Sequence, residues 1–211
     1  MTERLFKILI IGDATVGKTS FVQRYVNDSF KREYKATVGV DFALKVIQIS
    51  EEDTVRFQLW DVAGQERFTS MTRVYYKDAS ACVIIFDVTA KQTFHNCIKW
   101  KKDLDSKVSL PDGRCVPCML LANKIDLQEK AVTEEEVNEF CKEHNFIGWT
   151  EISVKDNVNV KESMNFLLEE ILARHTDTQP QRNMETEAEG GHIKLKDNVR
   201  QAKEGRSCCG S

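Results

Sequence analysis

The chain has no apolar run of the roughly 18–20 residues that a membrane-spanning helix requires, only three prolines among 211 residues, and no strong excess of either charge. Its first apolar segment, Leu5–Ile11, is interrupted by Lys7 and leads into a glycine rather than the small-residue cleavage site of a signal peptide. The sequence therefore predicts a protein that is neither secreted nor transmembrane. A net charge of −3 also lacks the positive footprint of a nucleic-acid-coating protein, so we expect no nucleic-acid partner.

The seven cysteines are an odd number, and five of them are scattered through apolar segments, as is typical of proteins in a reducing compartment. Cys115 and Cys118 have C-x-x-C spacing, but they precede an apolar strand, and no second pair or histidine cluster completes four metal ligands. We interpret them as structural rather than as a redox or zinc site. The remaining two, Cys208 and Cys209, lie side by side near the end of the chain and need a separate explanation.

Short runs rich in Ile and Val alternate with stretches of helical periodicity, which predicts one α/β domain around a mainly parallel sheet. Near-continuous apolar runs predict central strands at Phe6–Ile11, Ala81–Asp87 and Cys118–Asn123. Alternating patterns predict an antiparallel hairpin at one edge, with strands at Val40–Ile49 and Val55–Asp61. Helices are predicted at Gly17–Val26, Phe94–Lys107, Glu134–His144 and Val160–Arg174. Thr133 and Glu136 have the spacing of a capping box at the start of the third.

The composition changes after Arg174, where Gln, Asn, Glu, Thr and Gly dominate and branched aliphatic residues become rare. Such a segment cannot bury enough apolar surface to offset the entropy lost on ordering. We therefore expect a globular domain at residues 1–174 and a disordered tail at 175–211.

A glycine-rich loop follows the first predicted strand directly and opens the first predicted helix. It reads Gly12-Asp-Ala-Thr-Val-Gly17-Lys18-Thr19, a match to G-x-x-x-x-G-K-[ST] in the context that this motif requires. Its glycines let backbone N–H groups curl around a phosphate, Lys18 adds a compact positive charge, and the Thr19 hydroxyl can bind magnesium. An ordinary glycine turn with a solvated lysine is the alternative, and the placement between strand and helix argues against it.

Two further polar elements follow predicted strands. Asp61 ends an apolar strand, and in phosphoryl transfer such a carboxylate holds the magnesium shell while a nearby glutamine, here Gln65, orients the attacking water. Asn123-Lys-Ile-Asp126 follows another strand, at the sheet edge where α/β proteins bind ligands. A carboxylate there can accept two hydrogen bonds from guanine, a pair that adenine cannot offer. Taken alone, Asp61 would be interpreted as a helix-cap or turn residue, and the Asn123–Asp126 tetrapeptide as a surface turn.

Together, the three elements resemble those of small GTPases of the Ras superfamily. Five further segments resemble the signatures of its Rab family, namely Val38–Phe42, Phe57–Trp60, Arg67–Thr72, Tyr75–Ala79 and Ile85–Thr89. Within that family, Trp60–Glu66 and Leu104–Gly113 resemble the branch of the trans-Golgi and lysosome-related organelles. The resemblance implies a P-loop GTPase fold, with a six-stranded, mostly parallel sheet, one antiparallel edge strand and helices on both faces.

The resemblance also implies GTP or GDP and Mg²⁺ as cofactors, and GTP hydrolysis that is slow without an activating protein. It assigns catalytic roles to Gln65 and Lys18, and magnesium binding to Thr19, Thr37 and Asp61. The implied nucleotide contacts are Asp13, Ala14, Thr15, Val16, Gly17, Lys18, Thr19, Ser20, Phe30, Tyr34, Thr37, Gly64, Asn123, Lys124, Asp126, Ser153, Val154 and Lys155.

Three positions depart from the common Rab pattern. Thr15 replaces a glycine, Val62 a threonine and Val154 an alanine, and a β-branched residue stiffens or crowds each place. Because Gln65 is retained, we expect altered rates of nucleotide exchange or hydrolysis rather than loss of the site. A rival function stays open, that of a weakly hydrolysing nucleotide-binding scaffold whose partners ignore the nucleotide state.

The remaining implications concern membranes and partners. Phe42, Trp60 and Tyr75 match an exposed effector patch, although aromatic residues are more often core. Thr69 and Ser70 are candidate phosphorylation sites, with plain solvated hydroxyls as the alternative.

Cys208 and Cys209 resemble a double geranylgeranylation site that would hold the chain to the lipid bilayer. The implied partners are an exchange factor, a GTPase-activating protein, a GDP dissociation inhibitor, an escort protein and membrane effectors, with a leucine-rich-repeat kinase as one candidate. The implied location is the cytoplasmic face of trans-Golgi and endosomal or lysosome-related membranes, with a cytosolic pool.

Overall fold

The computed structural model describes residues 2–30, 36–65 and 72–176. Strands and helices alternate along most of this chain, as the sequence pattern predicts. In order, the elements are β1 (Thr2–Ile11), α1 (Lys18–Asn27), β2 (Val40–Gln48), β3 (Asp53–Val62), α2 (Thr72–Tyr76), β4 (Ala81–Asp87), α3 (Lys91–Lys107), β5 (Cys118–Asn123), α4 (Glu134–Glu143), β6 (Gly148–Glu151) and α5 (Val160–Thr176).

The six strands form one sheet in the order β2-β3-β1-β4-β5-β6. β2 pairs with β3 in the antiparallel sense, with Phe42 opposite Trp60, and every other neighbouring pair is parallel. The prediction of a mostly parallel sheet with an antiparallel edge strand is therefore confirmed. β1 begins at Thr2, earlier than the predicted Phe6. Its first residues pair with β3 through the backbone but do not pack into the core, so they lack the apolar pattern that predicts a strand. The short α2 and β6 were not located from the sequence, since four or five residues are too few to establish a periodicity.

Helices cover both faces of the sheet, as predicted, and each face has its own core. Alternate residues of β1 divide between the cores, because successive side chains of a strand point to opposite faces. Ile8 and Ile10 pack with α1 and α5, whereas Leu9 and Ile11 pack with α3 and α4. Burial on both faces explains why the central strands read as near-continuous apolar runs, and all seven residues of β4 are buried.

Local signals place several ends of the elements. The predicted capping box at α4 is present, with the Glu136 N–H donating to Thr133 Oγ1 at 3.2 Å and the Thr133 N–H donating to Glu136 Oε2 at 3.0 Å. α5 runs to Thr176, and the predicted tail beyond it lies outside the described residues, so the domain boundary stays a prediction. Among the residues that the structure describes, no helix is both long and apolar enough to cross a membrane.

The described cysteines are free thiols, with Cys115 exposed and Cys118 buried. Within the described ranges there is no cluster of three or more His, Cys, Asp or Glu side chains that could hold a metal ion. The interpretation of the C-x-x-C pair as structural stays a prediction. The parallel strands β1, β3 and β5 end at the same edge of the sheet, which gathers the three polar elements singled out in the sequence.

Candidate functional site

The loop after β1 approaches two neighbouring strands so closely that it requires glycine. Gly12 has φ of 140°, and a Cβ atom there would lie 2.3 Å from the Ile85 carbonyl oxygen. Gly17 has φ of 101°, and its Cβ would lie 2.5 Å from the Asn123 amide nitrogen. Both positions therefore exclude a side chain by space and by backbone conformation. The loop is held in a narrow turn between β1 and α1.

Lys18 is the first residue of α1, and its side chain lies under this turn with only 5% exposure. Its Nζ donates to the carbonyl oxygens of Gly12 at 2.9 Å and Asp13 at 2.7 Å. Burial lowers the pKa of Lys18 to about 8, although the nearby Asp61 and Asp13 oppose that shift. A desolvated ammonium at a helix N-terminus favours an anion, so the loop suits a phosphate.

Three oxygen-bearing side chains meet beside the loop. The hydroxyl oxygens of Thr19 and Thr37 lie 2.8 Å apart, and Thr19 also donates to Asp61 Oδ2. Asp61 is only 2% exposed, and its Oδ1 has no hydrogen-bond partner among the described residues. Burial raises the pKa of Asp61, with Thr19 and Lys18 opposing the shift. Hydroxyl and carboxylate oxygens are the ligands that Mg²⁺ prefers, and the unpartnered buried oxygen shows that these residues fit such a cation.

Asp126 lies at the other end of the site. Its Oδ1 accepts a hydrogen bond from Ser153 Oγ at 2.8 Å, and Lys155 Nζ lies 3.3 Å from its Oδ2. Burial alone would raise the pKa of Asp126, but the hydrogen bonds from Ser153 and Lys155 outweigh it and hold the pKa below the ordinary value. The side chain is therefore a carboxylate at neutral pH, an acceptor for paired N–H donors.

Asn123 joins the two ends of the site. Its side-chain Nδ2 donates to the Val16 carbonyl at 2.8 Å, and its Oδ1 accepts from the Val154 N–H at 3.2 Å. The buried amide thus ties the phosphate loop to the 153–155 loop. The next residue, Lys124, has φ of 72° and an ammonium 2.6 Å from Asp87 Oδ2.

A cavity of about 720 Å³ connects these groups. Its lining is Ala14, Thr15, Gly17, Lys18, Thr19, Ser20, Gln23, Phe30, Ala36, Thr37, Val38, Ala63, Gly64, Gln65, Asn123, Lys124, Asp126, Val154 and Lys155. The structure thus brings most of the proposed nucleotide contacts to one place. Asp13, Val16 and Ser153 are not among the lining residues, and the Asp13 carboxylate accepts hydrogen bonds from Asn96 and Trp100 of α3. Tyr34 lies outside the described residues.

Two supporting residues escaped the sequence analysis. Asp87 is the last residue of β4, much as Asp61 lies at the end of β3 just before Val62, so the same sequence signal was present. The Asp87 carboxylate positions Lys124. Burial tends to raise the pKa of Asp87, but hydrogen bonds from Lys124 and Thr89 lower it overall. Arg24 donates to the backbone of the 153–155 loop from the far end of α1, and no local pattern marks it.

The aromatic residues that match an effector patch lie on the adjacent surface. Phe42 is 54% exposed and meets Trp60 edge to face, with 4.5 Å between the ring centroids. Lys7 Nζ lies 3.4 Å from the centre of the Trp60 ring, and Tyr75 is half-buried against the same core. Phe42 is therefore not a core residue, and Trp60 and Tyr75 are only partly buried in the core. Thr69, Ser70, Cys208 and Cys209 lie outside the described residues.

A family model described as the Ras family matches residues 7–173, which contain the whole site. The chain belongs to the Ras family. Human Ras-related protein Rab-7L1 is 55% identical to this Ras-family chain over 207 residues, or 98% of each protein. Human Rab-32 is 49% identical over 208 residues, with 98% of this chain and 90% of Rab-32 covered. Rab-32A of Dictyostelium discoideum is 51% identical over 173 residues, which span 81% of this chain and 79% of that protein.

These relatives confirm the predicted resemblance to the Rab branch of the Ras superfamily. They also confirm the predicted enzyme class, because Ras-family proteins are GTPases, which generally bind GTP or GDP with Mg²⁺. Rab proteins in general work on intracellular membranes with exchange factors, activating proteins, dissociation inhibitors and effectors.

The three departures from the common Rab pattern differ in their consequences for this Ras-family chain. Val62 and Val154 are buried and pack into the two cores. Thr15 is exposed, and its φ of 65° places a β-branched residue in the left-handed region. Because the side chain gains no burial there, nothing local offsets the backbone strain.

Replacing Thr15 with Gly should relieve that strain. We expect Thr15→Gly to raise the free energy of unfolding by about 1 kcal/mol, the scale of the left-handed penalty for a residue with a Cβ atom. Urea denaturation of the protein at a fixed nucleotide concentration measures the change. Thr15→Ala retains the Cβ atom and serves as the control. An equal gain from Ala and Gly would contradict the strain explanation.

Proposed function

We propose that this chain is a Rab-type molecular switch that binds GTP and GDP, hydrolyses GTP to GDP and phosphate, and recruits effectors that control vesicle trafficking. One observation carries the proposal. A single cavity has Lys18, Thr19 and Thr37 at one end and Asp126 at the other, with Asn123 joining the two ends. The side chains at the first end complement a triphosphate with magnesium, and the Asp126 carboxylate at the other end complements a guanine base.

At the phosphate end, Lys18 and the backbone N–H groups of residues 13–20 would bind the phosphates. The hydroxyls of Thr19 and Thr37 would hold Mg²⁺, with Asp61 supporting Thr19 from behind. When bound, Mg²⁺ neutralises charge on the phosphates and favours the developing charge of the transition state. The proximity of the Thr19 and Thr37 hydroxyls supports this assignment, since both belong to one polar cluster with the unpartnered Asp61 oxygen.

At the base end, Asp126 would accept hydrogen bonds from the N1–H and the exocyclic amine of guanine. Ser153 and Lys155 orient the Asp126 carboxylate and keep it charged. Phe30 and Lys124 both line the cavity and would lie against the two faces of the base. Asn123 and Val154 would complete the wall along its edge.

Hydrolysis would depend on Gln65, which lines the cavity beside Gly64. A glutamine amide in this place orients the attacking water, while Lys18 stabilises the negative charge that develops on the phosphates. Gly64 lies tightly against the phosphate loop, because a Cβ atom there would be 2.2 Å from the Ala14 nitrogen. Contacts of Thr37 and Gly64 with the terminal phosphate would order the adjacent loops, and their loss after hydrolysis would release effectors from the Phe42–Trp60–Tyr75 patch.

The proposed location is the cytoplasmic face of trans-Golgi and endosomal or lysosome-related membranes, with a cytosolic pool. The segments Trp60–Glu66 and Leu104–Gly113 support this branch of the family. Prenyl groups on Cys208 and Cys209 would anchor the chain, with an escort protein and a GDP dissociation inhibitor handling the lipidated form. Phosphorylation of Thr69 or Ser70 would add nearly two negative charges and so change the choice of partner. A leucine-rich-repeat kinase is a candidate both for this modification and as an effector.

Asp126→Asn should change the base that the site prefers. An amide at this position offers a donor where guanine also has a donor, so we expect GTP affinity to fall by about 10⁴-fold. Affinity for xanthosine triphosphate should rise, because its edge has the complementary pattern. Equilibrium titration with both fluorescent nucleotides measures the change, with the parent protein as the control. Unchanged GTP affinity would refute the assignment of Asp126.

Gln65→Leu should slow GTP hydrolysis while preserving GTP binding, since the glutamine acts on the chemical step rather than on the bound phosphates. Thr19→Asn should instead weaken GTP binding by disturbing the magnesium site. Single-turnover phosphate release with an activating protein, and effector binding with GDP and with a GTP analogue, measure both effects. Equal effector binding in the two nucleotide states would favour the scaffold function over the switch.

Replacing both Cys208 and Cys209 with Ser should leave the chain cytosolic with its GTP cycle intact. Lipidation contributes about 0.8 kcal/mol per buried CH₂, so one chain gives marginal binding and two anchor stably. Cell fractionation measures the distribution, and each single Cys→Ser variant should attach weakly. If the double variant stayed on the same membranes at the parental level, protein contacts rather than lipid would hold it there.

A further inference from the structure

Arg24 connects the last turn of α1 to the loop that forms the base end of the site. Its Nε donates to the Val154 carbonyl at 3.0 Å, and its NH2 group donates to the Lys155 carbonyl at 2.9 Å. A third donor, NH1, reaches the carbonyl of Asp28 at 3.1 Å, where α1 ends. The side chain is only 14% exposed, and its bond to Val154 is partly buried, whereas the bonds to Lys155 and Asp28 are exposed.

A second bond strengthens the same connection. Asn157 Nδ2 donates to Asp28 Oδ1 at 3.1 Å, which joins the far side of the 153–157 segment to the end of α1. The Asp28 N–H in turn donates to the Arg24 carbonyl at 2.9 Å, so the helix end itself is closed. Arg24 also lies near Phe30, with 5.9 Å from its guanidinium carbon to the ring centroid.

This connection has a particular place in the site. α1 begins at Lys18, on the phosphate and magnesium side of the site. Arg24 in its last turn and Asp28 just after it lie at the other end of the helix. The loop that Arg24 fastens contains Val154 and Lys155, which line the base end. Asn123 fastens that loop from the inside, and Arg24 fastens it from the outside. Arg24 itself is not among the residues that line the cavity.

We propose that Arg24 is a positioning residue that keeps the base end of the nucleotide site closed and thereby slows nucleotide release. The inference rests on the proposed binding of guanine nucleotides. Arg24 acts through the loop backbone and not on the phosphates, so its effect is the same for GDP and GTP. It also leaves the hydrolytic step unchanged, because Gln65 and the phosphate end are remote from the fastened carbonyls.

The guanidinium group suits this task because its donors have fixed directions. Two parallel donors meet two successive carbonyl oxygens, and a third reaches the helix end. A lysine has one ammonium and cannot hold all three carbonyls in the same geometry. Loss of charge-assisted hydrogen bonds should therefore accelerate GDP release by about 10- to 100-fold in Arg24→Gln, with Arg24→Lys between this variant and the parent.

The matched control is Arg174→Gln. Arg174 is a similarly buried arginine that pairs with Glu170 on α5 at 3.2 Å, away from the cavity. Release of a fluorescent GDP analogue into excess unlabelled GDP, and of the matching GTP analogue, gives the rates for each variant. We expect Arg174→Gln to release both as the parent does, and single-turnover hydrolysis in Arg24→Gln to stay within about twofold of the parent. Thermal unfolding with bound nucleotide shows whether each variant is folded.

Asn157→Gly provides a second test if Arg24→Gln does not fold. Asn157 is exposed with φ of 58°, a conformation that glycine adopts freely, so this variant removes only the bond to Asp28. We expect GDP release to accelerate by about 2- to 10-fold, as for the loss of a single exposed hydrogen bond.

Two outcomes would overturn the inference. Release from Arg24→Gln and Asn157→Gly at the parental rate would show that the loop needs no fastening from α1. Acceleration for GTP alone would place the effect at the phosphate end instead. Failure of the parent chain to bind GDP would refute the proposed function itself, and that result is distinct from both.

Discussion

The phosphate loop lies so close to the β4 backbone at Gly12, and to the side chain of Asn123 at the end of β5 at Gly17, that neither glycine has room for a Cβ atom. That close approach brings the backbone of the phosphate loop against the carboxyl ends of two parallel strands. Lys18 then lies under the turn, and Asn123 reaches the Val16 carbonyl from β5. The rest of the site depends on this contact. A side chain at Gly12 or Gly17 would push the phosphate loop away from β4 and β5 and so separate the phosphate end of the site from the base end.

The site holds charges that the protein alone satisfies incompletely. Lys18 is a buried ammonium bonded to neutral carbonyls, and Asp61 is a buried carboxyl group with one oxygen unpartnered among the described residues. Burial accordingly lowers the pKa of Lys18 and raises that of Asp61. Such groups are costly in a protein interior unless a ligand completes them. In the proposed function, an anionic nucleotide with a divalent cation would supply these partners, which would link the stability of this region to occupancy of the site.

The two ends of the cavity are joined by few side chains that come from distant parts of the sequence. Asn123 ties the phosphate loop to the 153–155 loop, Asp87 holds Lys124, and Arg24 holds the same loop from α1. Each is largely buried and bonded to backbone or to a single opposite charge. These bonds hold the phosphate loop, Lys124 and the 153–155 loop together around one cavity.

The sequence by itself determined the α/β class, the antiparallel edge, the α4 capping box and the three motifs at strand ends. Those features depend on local periodicity, on glycine geometry and on residue types at fixed spacing. Tertiary structure decided the rest: α2 and β6 were too short to show a period, and the strain at Thr15 depends on the backbone φ that the folded chain imposes there. It also decided the roles of Asp87 and Arg24, because Lys124, Val154 and Lys155, which they hold, lie 37 to 131 residues away and only the folded chain brings them into contact.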